Sequence, residues 1–277
     1  MPATAFYRHG AGEPLVLLHG FTDTWRAWTP ILPALGAHHE VVAVSMPGHC
    51  GAEGWDASVP FTLESYVDAV ERQLDALGLT RAHFVGNSLG GWVSLELAAR
   101  GRALSVVGVC PAGGWERGGA EERRIIGFFT RTRRLMRLFR PLLPFVARHP
   151  TLRRIALRDV VVDARKMPTE EALALFEGSG QCTIFDEILS LVHTNTGFNP
   201  GPIECPVLIL YGTADRLLRW PSCFPVMRRA LPDAEWVALE GVGHVPMWDA
   251  PELVADAIVA HTTRAGGRTA LDPPQSA

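Results

Sequence analysis

Six short apolar runs punctuate the chain, and between them the apolar residues recur at helical spacing. Leu15-Val16-Leu17-Leu18, Val41 to Val44, Ala82 to Val85, Ser105 to Val109, Val207 to Tyr211 and Glu235 to Leu239 read as strands. Trp25 to Leu35 reads as a helix, with Thr22 and Asp23 as possible caps and Gly36 as the stop. Thr62 to Leu77 is the clearest helix: Thr62 sits at the cap, and Leu63, Tyr66, Val67, Val70, Leu74 and Leu77 form one face. Gly91 to Arg100, Pro221 to Ala230 and Pro251 to His261 complete the helical segments. Strand and helix alternate, which predicts an α/β fold: a mostly parallel, doubly wound sheet with right-handed helical crossovers. The alternation lapses from Ala112 to Gly201, where the text is helical, proline-interrupted and rich in arginine. The expected organisation is therefore a core domain over 1–111 and 202–264, a helical insertion over 112–201, and a frayed tail over 265–277.

Charge sharpens the reading of the insertion. The chain has 277 residues and a formal net charge of −3. Eleven of its 26 basic side chains are arginines between Arg123 and Arg158, a stretch without an acidic residue, so the remaining 15 share the chain with 29 acidic ones. On a helical wheel Ile125, Phe128, Phe129, Leu135, Met136 and Phe139 fall on one face, and Arg123, Arg124, Arg131, Arg134 and Arg137 on the other. The plain expectation is an amphipathic helix that covers a site with its apolar face and solvates its arginines. Contact with anionic lipid, or with an acidic group such as a coenzyme A phosphate, is the sharper alternative. Nucleic-acid binding is not expected of a chain that is acidic elsewhere and has no recognised module.

The remaining composition narrows the class further. A hydrophobic share of 47% with 20% charged residues is that of a soluble globular enzyme, and neither a secretory signal nor a membrane-length apolar stretch is present, so a cytoplasmic protein is expected. Five scattered cysteines with no C-x-x-C pair read as reduced thiols. His38-His39 and His49-Cys50 lack metal-ligand spacing, and no metal or cofactor is expected. The oligomeric state stays open.

The chemistry concentrates at Gly86-Asn87-Ser88-Leu89-Gly90, where a serine stands between two glycines at a strand-to-helix turn. This is the arrangement of a nucleophile elbow, whose crowded backbone excludes a Cβ on either side. A serine that merely caps the helix is the alternative. A serine hydroxyl needs a base, and the base needs an orienter. Asp215 follows the strand ending at Tyr211, and His244 follows the strand ending at Leu239, so all three emerge at the carboxyl edge of a parallel sheet. His19-Gly20-Phe21 ends the first apolar run, where the backbone N–H groups of Phe21 and Leu89 are placed to form an oxyanion hole. Glu240 and Asp249 flank the histidine and are set aside by position. Phe21, Trp92, Trp115, Met247 and Trp248 are expected to line an apolar substrate pocket, with packing in the helix core as the alternative for Trp92.

With His19-Gly20-Phe21, the Ser88 elbow, Gly212 to Asp215 and Gly243-His244 in this order, the chain resembles the α/β-hydrolase fold superfamily over nearly its whole length. The resemblance implies an acyl-enzyme mechanism with Ser88 as nucleophile, His244 as proton shuttle and Asp215 as orienter. It also implies that the insertion is a cap following the sixth strand of the family's sheet. Serine stands where the family's epoxide hydrolases and haloalkane dehalogenases carry aspartate, which leaves hydrolysis of a carboxylic ester, lactone or thioester of an apolar small molecule, medium-chain or aromatic. Carbon–carbon hydrolysis of a vinylogous diketone is the alternative, because Asn87 before the nucleophile is a choice those enzymes share. Against it stand Phe21-Thr22-Asp23-Thr24 in place of a glycine-rich oxyanion loop, and Val245 in place of a tryptophan. A cofactor-free perhydrolase and a non-catalytic ligand-binding member of the fold are the other readings.

Overall fold

The computed structural model describes residues 5–194 and 198–269. In chain order it builds β1 (Phe6–His9), β2 (Pro14–Leu18), a 3-10 turn (Trp25–Trp28), α1 (Leu32–Gly36), β3 (Glu40–Val44), α2 (Leu63–Ala76), β4 (Ala82–Asn87), α3 (Leu89–Ala99) and β5 (Ala103–Val109). Five α-helices follow before the next strand: α4 (Ala120–Leu138), α5 (Leu143–Arg148), α6 (Pro150–Leu157), α7 (Thr169–Gly180) and α8 (Phe185–Thr194). Then come β6 (Val207–Gly212), α9 (Trp220–Ala230), β7 (Glu235–Leu239), α10 (Pro246–Asp249) and α11 (Pro251–Thr269).

The strands form one sheet in the order β1-β3-β2-β4-β5-β6-β7, with only β1 antiparallel. Period-two burial shows how the apolar runs serve two layers at once. Val16 and Leu18 of β2 and Val42 and Val44 of β3 pack with Tyr66, Val70 and Leu74 of α2. Leu15, Leu17, Val41 and Ala43 face the other way, onto Trp28, Leu35, Val254 and Ile258. The four-residue β1 is too short and too exposed to announce itself by pattern.

Three expectations are corrected. The helix expected over Trp25 to Leu35 is a 3-10 turn followed by the five-residue α1, because Pro30 and Pro33 each remove a backbone donor from the segment. Its cap is Thr24, whose hydroxyl accepts from the Arg26 N–H at 3.3 Å, and neither Thr22 nor Asp23. The tail expected from residue 265 starts later: α11 runs on to Thr269 with Ala265 buried, and residues 270–277 lie outside the described ones. The insertion leaves the sheet after β5, the fifth strand among the described residues. Among the described residues no helix is long and apolar enough to cross a membrane.

Candidate active site

Strand order places the chemistry. The chain runs outward in one direction from β2 to β3 and in the other from β4 to β5, so the loops after β2 and β4 part at a topological switch point. Ser88 follows β4 with φ 53° and ψ −114°, in the left-handed half of backbone space, where a side chain is strained. Its backbone is held on both sides: the Ser88 N–H donates to Val109 O at 3.0 Å, and its carbonyl accepts from Trp92 and Ala112. The flanking glycines are obligatory. A Cβ on Gly86 would stand 2.1 Å from Gly90 O, and one on Gly90 would stand 2.1 Å from Leu18 O.

Asp215 and His244 meet from neighbouring strands. The His244 Nδ1–H donates to Asp215 Oδ2 at 2.7 Å, and Asp215 Oδ1 accepts from the Leu217 and Leu218 amides at 2.8 Å each. Both side chains are buried, so the carboxylate is solvated by N–H groups in place of water. Gly212 and Gly243 allow this approach: a Cβ on Gly212 would lie 2.4 Å from Gly243 O. Asn87 closes the third side, its amide donating to Val109 O at 3.0 Å and to the carbonyl of His244 at 2.9 Å. The second ring nitrogen, His244 Nε2, is buried and makes no hydrogen bond among the described residues, and neither does Ser88 Oγ. Ser88 and His244 line one cavity.

The loop after β2 comes to the serine through Gly20, where a Cβ would lie 3.3 Å from Ser88 Cβ. The Phe21 and Leu89 N–H groups, expected as oxyanion donors, make no hydrogen bond among the described residues. His19 fixes this loop, a role its sequence context did not reveal. Its Nε2 accepts from the Met46 amide at 2.9 Å, so Nδ1 carries the proton and donates to Gly20 O at 2.7 Å. Burial, helped by the neighbouring His49, pushes its pKa well down, which keeps the ring neutral.

The cavity holds about 940 Å³ and extends from Ser88 and His244 under α4 to α7. Phe21 and Trp248 line it; Trp92, Trp115 and Met247 do not. Trp92 is 1% exposed, because α3 is enclosed on nearly every side, and its ring meets Trp115 edge-on at 5.9 Å. Met247 is wholly buried beneath α11, packed with Val254 and Ile258. The lining comes instead from the insertion, chiefly Phe128, Phe129, Met136, Leu173 and Phe176. The two faces drawn for α4 also merge toward its end: Arg131 and Arg137 join Leu135 and Phe139 at the cavity, while Arg124 turns inward to the carbonyls of Arg216 and Leu217.

Two acidic residues gain roles that position alone did not give. Asp23 lines the cavity, and burial raises its carboxyl pKa to about 7, against the stabilising Thr24 N–H and with some help from Glu171. Asp249 accepts from the amides of Gly243, Val162 and Asp163 at 3.0 to 3.3 Å, which ties the histidine loop to the insertion. Glu240 stays at an exposed turn, accepting from Thr213.

Cys110, Asp215 and His244 bring ligand-type atoms within 4.8 Å of one another, the one such group among the described residues. Burial holds the Cys110 thiol well above the ordinary cysteine range, and the carboxylate already accepts three N–H groups, so the trio is poorly suited to a cation. All five cysteines are free.

A family model described as the alpha/beta hydrolase family matches residues 15–257. Epoxide hydrolase EphH of Mycobacterium tuberculosis is 33% identical over 196 residues, which cover 70% of this chain and 91% of that protein. The 2-hydroxy-6-oxo-2,4-heptadienoate hydrolase of Pseudomonas putida is 39% identical over 94 residues, 33% of this chain and 34% of the relative. Among solved structures, a membrane phospholipase A described as a bacterial virulence factor superposes with a TM-score of 0.71 at 26% identity, over 94% of this chain and 82% of the other.

Proposed function

The chain belongs to the alpha/beta hydrolase family, and from that premise we propose that it is a serine hydrolase cleaving a carboxylic ester of an apolar small molecule through an acyl-enzyme. Ser88 Oγ attacks the acyl carbon as His244 Nε2 takes its proton. Asp215 holds the ring in the tautomer that leaves Nε2 free and stabilises the imidazolium that forms. The Phe21 and Leu89 N–H groups receive the oxyanion, a contribution of about 3 kcal/mol per donor in such sites. His244 then returns the proton to the leaving alcohol, and water attacks the acyl-enzyme along the same path in reverse. The unbonded Ser88 and His244 Nε2 fit a free enzyme whose proton-transfer contact tightens when substrate binds. The helical insertion serves as the cap that encloses the acyl chain.

One observation carries this reading: a serine, and not a carboxylate, occupies the strained elbow above the His244–Asp215 pair. Opening an epoxide with a serine oxygen would leave an ether that water does not release, whereas acylation leaves an ester that it does. EphH is thus a guide to family more than to bond type. Asn87, which kept carbon–carbon hydrolysis in view, spends its amide on the backbone of Val109 and His244, a structural use that any member of the fold could share.

Ser88→Ala tests the proposal. Labelling by a fluorophosphonate probe and turnover of p-nitrophenyl esters are both expected to vanish, with kcat down by at least 10³-fold. Unchanged labelling in the variant would sink the assignment. Across chain lengths the wild type is expected to prefer medium or aromatic acyl groups, and fastest turnover on acetate would contradict a site opening on so large a cavity.

A further inference from the structure

The mouth of the cavity is built like a membrane-contact surface. From Arg134 to Leu142 every residue except Met136 is exposed, and the stretch contains only arginine, proline and large apolar side chains. Leu138 is 69% exposed, Leu142 54%, Leu135 47% and Phe139 46%. Apolar side chains of that size standing together in water are uncommon on a monomer's surface. Leu135 and Phe139 are at once exposed and part of the cavity wall, so the patch is continuous with the space that reaches Ser88.

Charge decides what covers it. Arg131, Arg134, Arg137 and Arg140 are exposed and make no ion pair among the described residues. Of the acidic groups at hand, Asp186 pairs with Arg133 and Asp159 lies beside Arg158, which leaves Glu177, exposed on the cavity lining, against four arginines. A second copy seated on the same face would bring these arginines against their own kind. Apolar side chains ringed by guanidinium groups match an interface whose headgroups are negative and whose interior is hydrocarbon.

We infer that this face docks on anionic phospholipid, Leu138 and Leu142 entering the acyl boundary while the arginines hold the headgroups, and that the substrate is an acyl ester drawn from that layer into the cavity. The second half rests on the serine-hydrolase reading; the docking does not.

The test uses the Ser88→Ala protein, so that binding is read without turnover. Vesicles of phosphatidylglycerol and phosphatidylcholine are compared with phosphatidylcholine alone, by co-sedimentation at low and high salt. Expected is at least tenfold stronger partitioning onto the anionic vesicles, weakened by salt. Both Leu138→Ser/Leu142→Ser and Arg134→Glu/Arg140→Glu should lower it at least tenfold, with circular dichroism melting as the check on folding. Equal partitioning onto both vesicle types overturns the inference. So does anionic binding that survives the leucine variant, which would be charge attraction alone. So does light scattering that shows a dimer dissolved by that variant, or retention by an immobilised polyanion with no vesicle binding. Fluorophosphonate labelling of the wild type reports separately on Ser88, so a failed nucleophile and a failed docking surface give different results.

Discussion

Asp23 shows what a single side chain can disclose about its surroundings. Its carboxyl is held near neutrality in its protonation, with a folded pKa of about 7, while an unfolded aspartate titrates near ~3.9. Between those values the native state keeps a proton that the unfolded chain has lost, so stability is greatest at the acid end of the window and falls as pH rises toward 7. Asp23→Asn is expected to remove that slope. The check is the denaturant midpoint of both proteins from pH 5 to pH 8, and parallel curves would contradict it. Nothing about this was legible in the sequence, where Asp23 read as a helix cap. Ser88, Asp215 and His244 were legible, because each follows a strand end and the parallel sheet alone gathers them. Trp92, Trp115 and Met247 were misplaced since aromatic and thioether side chains read alike whether they face a core or a cavity.

Elements were readable where local chemistry and burial agree. The segment from Thr62 has both: one apolar face, and a reciprocal capping box in which the Thr62 hydroxyl accepts from the Ser65 N–H at 3.1 Å while Ser65 Oγ accepts from the Thr62 N–H at 3.0 Å. Thr62→Ala is expected to cost about 1 kcal/mol, measured by urea unfolding, without changing ester turnover. Trp25 to Leu35 shows the opposite case, helical spacing broken by two prolines. For α3 the pattern failed differently: Leu89 to Leu95, Leu97 and Ala98 are all buried, so no face distinguishes the core from the site. The arginine-rich stretch announced α4 correctly, but a wheel cannot tell where the neighbouring helices stop covering it.

The whole molecule is held together at a seam between insertion and core. Arg26, within the 3-10 turn, grips Glu171 of α7 through two hydrogen bonds of 2.6 and 3.0 Å. On the other side the Val245 N–H donates to Val160 O at 2.9 Å, and Asp249 joins Gly243 to Val162 and Asp163. Asp249→Ala is expected to cost about 1–2 kcal/mol, since several amides lose one acceptor, and to lower kcat more than it raises KM. A thermal melt paired with ester kinetics checks it; a KM effect alone would count against the seam's part in positioning His244.

That seam makes the insertion more than a cover. Val245, next to His244, donates to Val160, and Asp249, which also holds the Gly243 N–H, accepts from Val162 and Asp163, chain more than eighty residues distant in another layer, so the insertion cannot swing away as a hinged door without dragging the imidazole's own loop. Shortening the protein to its sheet and flanking helices would therefore do more than uncover the cavity; it would leave a His244 loop that has lost its mooring. The insertion and the His244 loop are therefore not separable parts, and exchanging insertions between relatives would have to carry the loop from Gly243 to Asp249 along with them.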